Sequence, residues 1–241
     1  MQRYFVDRKQ INETQVIIDN QDAHHIKDVM RFNQLDKVII NTYDGVVYLA
    51  EIRVISKKNV ILEILENLPS NYQPLPLDLG LSLIKKDNFE LVLQKATELG
   101  VRKIIPLNTE RSIIKVDDFT KKFVRYQTIV KEASEQSERS ILPVVTDYTN
   151  LSSLDLTPYQ YKLFCYAREE SLNIKDELKS LKPMDQVLVL IGPEGDFSKT
   201  EIEYLVRKGF KSVSLGKSIL RSETAAIYVV SLIRFLLEDN L

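Results

Sequence analysis

The chain has 241 residues, 44% of them hydrophobic and 28% charged, with a formal net charge of −1; that balance matches a folded globular protein and excludes general disorder and fibrous repeats. Residues 1–75 carry nine Lys/Arg against ten Asp/Glu and the remainder 24 of each, so neither part has the basic excess of many nucleic-acid binders, and an RNA contact would need positive charge clustered on one face. A single cysteine, Cys165, excludes an internal disulfide, no Cys/His cluster has zinc-site spacing, and neither a signal-peptide core nor a run of roughly 18 apolar residues is present, so the expectation is a cytoplasmic protein without metal or membrane span.

In chain order, the first 68 residues read as short strands with one helix: RYFV, QVIID, the polar segment DAHHIKDVMRF, KVIINT, a turn at Tyr43-Asp44-Gly45, then VVYLAEIRVI and NVILEIL. This predicts a small, mostly β domain over residues 1–68. Pro69, Pro74 and Pro76 follow among polar residues, a composition that favours an extended connector, so residues 69–77 are expected to be a linker and 78–241 a second domain.

Beyond the linker, strands alternate with helices. LGLSLI precedes the helix NFELVLQKATELG, whose Phe89, Val92, Leu93, Ala96 and Leu99 share one face and which Gly100 stops. KIIPL, a helix from Asp118 to about Glu138, the strands PVVTDY and YKLFCYA, a polar helix near Ile174 to Leu181 and the apolar strand QVLVLIG come next. The rhythm implies an α/β fold with a mainly parallel sheet. Cys165 lies inside YKLFCYA, where a small buried hydrophobe is the expected role. Ser198-Lys199-Thr200-Glu201 has the pattern of a capping box at the start of a helix that Gly209 ends. KSVSL then leads to the loop GKSILRSET and to a last helix, about Ser222 to Leu237, apolar around most of its circumference and so expected to be covered on several sides.

The chemistry concentrates near the C-terminus. There is no G-x-x-x-x-G-K-[ST] phosphate loop and no G-x-G-x-x-G fingerprint. Of seven glycines, Gly192, Gly195, Gly209 and Gly216 fall within 25 residues. Two glycine-bearing loops, Ile191 to Phe197 and Leu215 to Ser222, both follow predicted strands, where open α/β sheets bind ligands; ordinary tight turns would use glycine in the same way.

The longer pattern is more specific. GPEGDFSKTE followed by VSLGKSILRSETAA resembles the signature of the bacterial small-subunit (16S) ribosomal RNA uracil-N3 methyltransferases, a branch of the SPOUT superfamily. LQKATELGVRKIIPLNTERS, EASEQSERSILPVV, RYFV and HHIKDVMRF resemble further blocks of that family, so the likeness runs through nearly the whole chain. It implies a PUA-like β-barrel for RNA binding, a trefoil-knotted α/β methyltransferase domain, a homodimer, S-adenosylmethionine as cofactor and ribosomal RNA or the small ribosomal subunit as partner.

By the same resemblance, Ile191, Gly192, Pro193, Glu194 and Gly195 form one wall of the cofactor slot. Leu215, Gly216, Ile219, Leu220 and Ala225 enclose the adenine from the other side, and Tyr166 and Ala167 complete it. Asp196 departs from the family, which usually has a second glycine there; aspartate tolerates left-handed geometry better than most residues. Arg221 is the expected catalytic residue, holding a uracil carbonyl oxygen as N3 loses its proton, although an ion pair with Glu223 or Glu194 would also suit it. Either carboxylate could accept the proton or cap backbone N–H groups instead, and the base stays open. Arg3, His25, Arg31, Arg111 and Arg139 match polar family blocks and are the expected RNA contacts. Two other functions fit the residues: an RNA-binding assembly factor without catalysis, and a methyltransferase acting on a different RNA or on a small molecule.

Overall fold

The computed structural model describes residues 1–70, 72–114 and 116–238, without the side chains of residues 116–118 and 238. Asn71 in the expected linker, Lys115, and residues 239–241 at the end of the expected second domain lie outside the described residues. The chain divides into two compact units, Met1–Gln73 with Lys131–Leu142, and Pro74–Val130 with Pro143–Leu241.

The first unit is one six-stranded sheet built from β1 (Arg3–Val6), β2 (Ile11–Asn12), β3 (Gln15–Asp19), β4 (Lys37–Thr42), β5 (Val47–Ile55) and β6 (Asn59–Leu68). Their order is β1-β4-β5-β6-β3-β2, with β1 parallel to β4 and the other pairs antiparallel. Strand alternation decides which face is inside: in β3, Val16 and Ile18 are buried while Gln15, Ile17 and Asp19 are exposed. Register shifts between β5 and β6 at Leu49/Ala50 and Ile52/Val54 bend the ladder, and the sheet curls like a half-barrel. Helix α1 (Asn20–His24) and the wide turn His25–Val29 put Ala23 and Ile26 into the same apolar cluster as Tyr4, Val38, Ile40 and Leu62. The polar segment expected to be helical is therefore held by two apolar side chains on one side.

The segment Lys131–Leu142 belongs to this unit although it lies far downstream. Glu135 accepts a hydrogen bond from the Phe5 backbone N–H at 3.0 Å, and Lys131 bridges Asp22 and Glu135. The Asn41 side-chain amide donates to the Arg139 carbonyl at 3.0 Å.

The second unit has seven parallel strands: β7 (Leu77–Ser82), β8 (Lys103–Asn108), β9 (Val144–Val145), β10 (Thr149–Asn150), β11 (Tyr161–Cys165), β12 (Val187–Ile191) and β13 (Lys211–Val213). The order is β10-β8-β7-β12-β11-β13, with β9 also on β8. Every residue of β12 is buried; Val187, Val189 and Ile191 enter the cluster on one face and Leu188 and Leu190 the cluster on the other. That is the pattern of a strand covered on both sides. The expected strand PVVTDY is reduced to the two residues of β9. The Thr146 and Thr149 hydroxyls donate to the Asp147 carbonyl at 2.8 and 3.2 Å, and such local bonds compete with strand pairing.

Helix α2 (Lys86–Glu98) buries Phe89, Val92, Leu93 and Ala96 as its spacing predicts, and Gly100 follows at φ 91°. Helix α3 (Val116–Gln136) runs from residues of the second unit into those of the first. The polar helix near Ile174 shortens to α4 (Ile174–Glu177) and a 3-10 turn. In α5 (Lys199–Arg207) the Ser198 hydroxyl accepts from Glu201 N–H and the Glu201 carboxylate from Ser198 N–H, so the capping box forms, and Gly209 at φ 81° ends the helix. Helix α6 (Ser222–Glu238) buries Ala226, Val229, Val230 and Ile233 but leaves Tyr228 and Phe235 38% and 68% exposed. At the other edge of the sheet from the strand exits, buried Asp78 takes a two-pronged hydrogen bond from Arg102 at 2.8 and 2.9 Å and one from the Tyr159 hydroxyl. Among the described residues no helix is long and apolar enough to cross a membrane.

Burial pushes the Glu135 carboxyl up from 4.5 to about 7. Between those values the folded state holds the proton that the unfolded chain has lost, so stability falls as pH rises through the window. Urea midpoints should therefore decline between pH 4.5 and 7, by on the order of 3 kcal/mol in unfolding free energy. Glu135→Gln should flatten that decline.

Candidate active site

Because β7, β8, β11, β12 and β13 are parallel, their C-terminal exits share one edge. There the loop after β12, the loop after β13 and the end of β11 surround a cavity of about 530 Å³, within the size range of small-molecule sites. Its wall contains Tyr166, Ala167, Ile191, Gly192, Pro193 and Glu194 from two strand exits. Leu215, Gly216, Ile219, Leu220, Arg221 and Ala225 line the opposite side. Of the expected cofactor residues, Gly195 alone stands outside the lining, and it lies against the Arg111 side chain. Lys85, Asn88 and Ser214, which no sequence feature marked, also line the cavity, as do Cys165, expected only as a core residue, and Ser218 and Ser222 of the second loop. Lys85 and Asn88 come from the start of α2, far away in the chain, and carry no motif that would have marked them.

The β12 loop is shaped by close packing and by carboxylates. A Cβ at Gly192 would sit 3.2 Å from both Asp196 Oδ1 and Phe197 N, so a side chain there would press on the turn. Asp196 adopts φ 61°, the left-handed geometry in which a glycine would be at ease. Its carboxylate accepts hydrogen bonds from Phe197 N–H at 2.8 Å and Ala167 N–H at 3.3 Å, tying the β12 exit to the β11 exit. Burial pushes the pKa of its carboxyl up, while those two bonds oppose the rise. Glu194 accepts from the Lys85 backbone N–H at 3.3 Å. In the second loop Gly216 lies at φ 126° with open space around it, and Ile219 is 78% exposed.

Arg221 is exposed and makes no ion pair with Glu223 or Glu194 among the described residues. Cys165 is buried in β11, and burial pushes its thiol well above the ordinary range, which leaves it a core residue rather than a nucleophile.

The five expected RNA contacts separate. In the first unit Arg31 is exposed, Arg3 approaches Glu138 at 3.6 Å, and His25 Nδ1 is hydrogen-bonded to the Tyr4 hydroxyl at 3.0 Å. Arg139 departs from an RNA-facing role: it is 2% exposed, its Nε donates to the Ile141 carbonyl at 3.1 Å, and its guanidinium lies 5.2 Å from the centre of the Tyr72 ring. It fastens the 139–141 segment of its own unit. In the second unit Arg111 donates to the carbonyls of Gly195 and Phe197 at 2.8 and 3.4 Å, so its guanidinium braces the β12 loop.

A parallel α/β unit with a glycine-shaped, phosphate-loop-free pocket at its strand exits, in a chain that starts with a curled β unit, is the build of an RNA methyltransferase with a PUA domain. Family comparison gives the same two descriptions: an RNA methyltransferase domain over residues 71–234 and an RNA methyltransferase PUA domain over residues 18–65. The ribosomal RNA small subunit methyltransferase E of Bacillus subtilis (strain 168) is 34% identical over 247 residues, covering 98% of this chain and 96% of the relative. Two solved structures superimpose along the chain. The ribosomal RNA small subunit methyltransferase E of Neisseria gonorrhoeae, bound to S-adenosyl methionine, has a TM-score of 0.84 at 26% identity, over 98% of each chain. A methyltransferase of Legionella pneumophila in complex with the same cofactor has a TM-score of 0.86 at 29% identity, over 97% of this chain and 96% of that one. The chain belongs to the ribosomal RNA small subunit methyltransferase E family.

If Arg111 braces the loop, Arg111→Ala should lower its local opening free energy by about 1 kcal/mol, the net worth of a hydrogen bond in an exposed setting. Amide hydrogen exchange at residues 195–198 should then quicken about fivefold. Exchange in β12 itself should stay at the wild-type rate.

Proposed function

We propose that this protein uses S-adenosylmethionine to methylate N3 of a uracil in small-subunit ribosomal RNA. The observation that carries the reading is the meeting of the β12 and β13 loops around one cavity lined by Ile191, Leu215, Leu220 and Ala225, with backbone and carboxylate groups at its rim. S-adenosylmethionine has no phosphate. It asks for an apolar slot for its adenine, backbone hydrogen-bonding groups and acceptors near its cationic end, and the residues present fit those demands. When bound, it supplies a methyl group activated by a sulfonium.

The remaining work falls to the chain. Ile191, Pro193, Leu215, Ile219, Leu220 and Ala225 hold the adenosyl part and exclude water, with Tyr166 and Ala167 closing the slot. Gly192 and Gly216 let the backbone come close, Glu194 sets a carboxylate at the rim, and Gly195 supports the turn from outside the lining. Arg221 binds a uracil carbonyl oxygen and stabilises the negative charge that grows there as N3 gives up its proton; a guanidinium on a developing oxyanion acts mainly on the transition state.

RNA binding is assigned to the PUA unit, residues 1–68 before a linker at 69–77, with Arg31, Arg3 and His25 as its contacts. A duplex or folded RNA would be positioned through its phosphates while the target base is extruded into the pocket of the 78–241 domain. Two further features belong to the reading. Exposed Tyr228 and Phe235 on α6 and Leu91 on α2 support a homodimer joined through these helices. A trefoil knot belongs to the same reading on the family resemblance alone. A protein that works on ribosomal RNA would act in the cytoplasm.

Incubation with labelled S-adenosylmethionine and unmodified small ribosomal subunits should label RNA, and nucleoside analysis should find the label on a uracil N3. Label on ribose or on transfer RNA alone would redirect the reading to another RNA. Arg221→Ala should fold normally and reduce the single-turnover rate by about 100-fold or more; an undiminished rate would strip that residue of its role.

A further inference from the structure

Three carboxylates line the cavity: Glu194, Asp196 and Glu223. Two of them are occupied by backbone donors. Glu194 holds Lys85 N–H, and Asp196 holds Phe197 N–H and Ala167 N–H. Glu223 differs. It lies in the first turn of α6 and is only 9% exposed, and among the described residues its buried Oε2 has no hydrogen-bond partner. Folded proteins keep few such atoms, because a desolvated acceptor without a donor is costly. On the wall of a cavity, that cost is relieved when a ligand brings the missing donor.

The donor can be identified from the chemistry of the base. The pairing edge of uracil presents a carbonyl, an N3–H and a second carbonyl, in other words acceptor, donor, acceptor. Arg221, two residues before Glu223 on the same cavity, suits a carbonyl; the unpartnered carboxylate suits the N3–H between them. We infer that Glu223 accepts the N3 proton of the target uracil and is the base of the reaction. This rests on the uracil-N3 reading above.

In the step, the N3–H bond breaks with the proton passing to Glu223. The N3 electron pair forms the bond to the methyl carbon as the carbon–sulfur bond breaks, leaving its pair on sulfur. Neutral Glu223 then returns its proton to water. The same carboxylate sets specificity. Cytosine presents a bare lone pair at N3, which would face the carboxylate without a hydrogen between them, so the site rejects it by repulsion rather than by shape.

The test compares wild type and Glu223→Gln on small subunits reconstituted with uridine, 5-fluorouridine or cytidine at the target position. Fluorine makes the N3–H more acidic and so lessens the need for a base. Calorimetry should find S-adenosylmethionine affinity within about twofold of wild type, since the residue serves the base and not the cofactor. The single-turnover rate on uridine should fall about 100-fold or more, with 5-fluorouridine restoring about tenfold of it in the variant but little in wild type. Cytidine should be inert with wild type. The proposal is overturned by a variant rate within about threefold of wild type, by a loss that 5-fluorouridine does not relieve, or by weakened cofactor affinity that fully accounts for the loss. Glu223→Asp, with a carboxylate on a shorter arm, gives the same comparison if the glutamine variant does not fold. Failure of the uracil-N3 reading looks different, because wild type itself would then place its methyl on another atom.

Discussion

The second unit depends on one constraint: β12 is buried on both faces and paired along both edges, with β7 on one side and β11 on the other. A strand held in this way has no freedom of register, since a one-residue slip would exchange the apolar sets that face the two cores. Its partners are parallel to it, so all their exits reach the same edge, and the chain has to turn there in irregular loops. Those loops are the pocket. Gly80 shows how tight the arrangement is. A side chain on it would run into Leu190 of β12 and Leu107 of β8, so β7 approaches its neighbours as closely as it does only because that position has none.

Loops without regular pairing still have to satisfy their backbone groups, and here charged side chains supply most of the bonds. Asp196 and Glu194 receive N–H groups from three different segments, Glu201 receives those of Ser198 and Glu110, and Arg111 serves two carbonyls. Rigid positioning of a cofactor needs this kind of outer support. Glu223 stands apart because, among the described residues, its buried Oε2 has no hydrogen-bond partner. A buried acceptor without a donor at a cavity wall is the local inconsistency expected where function, rather than folding, has chosen the residue.

Much of this was legible in the sequence because it is written in local rules. The Ser198–Glu201 box, the stops at Gly100 and Gly209, the buried face of α2 and the uninterrupted apolar run of β12 each follow from residues within one or two turns of each other. The two loops of the pocket were legible from their glycines and from family resemblance, and Asp196 takes up the left-handed turn that its residue type permits. What could not be read was long-range. Nothing near Arg139 or Arg111 in sequence tells that one is buried over Tyr72 and that the other reaches the Gly195 carbonyl 84 residues away. Lys85 and Asn88 enter the pocket only because β7 lies beside β12. The contrast between Glu194 and Glu223 likewise appears only when their partners can be counted.

The segment Lys131–Leu142 has a consequence for the birth of the protein. The curled sheet of the first unit is complete in its strands at Leu68, yet Phe5 N–H, Asn41 and Tyr72 wait for Glu135 and Arg139. A ribosome adds roughly 5–20 residues per second, so several seconds of synthesis separate the last strand from the helix end that fastens it. During that interval the nascent sheet has an uncovered side, and the strands β7 and β8 of the next unit emerge beside it. The order of synthesis thus makes the later segment a latch that closes on the earlier unit, and makes the newborn chain more exposed to mispairing and to chaperones than the finished fold suggests.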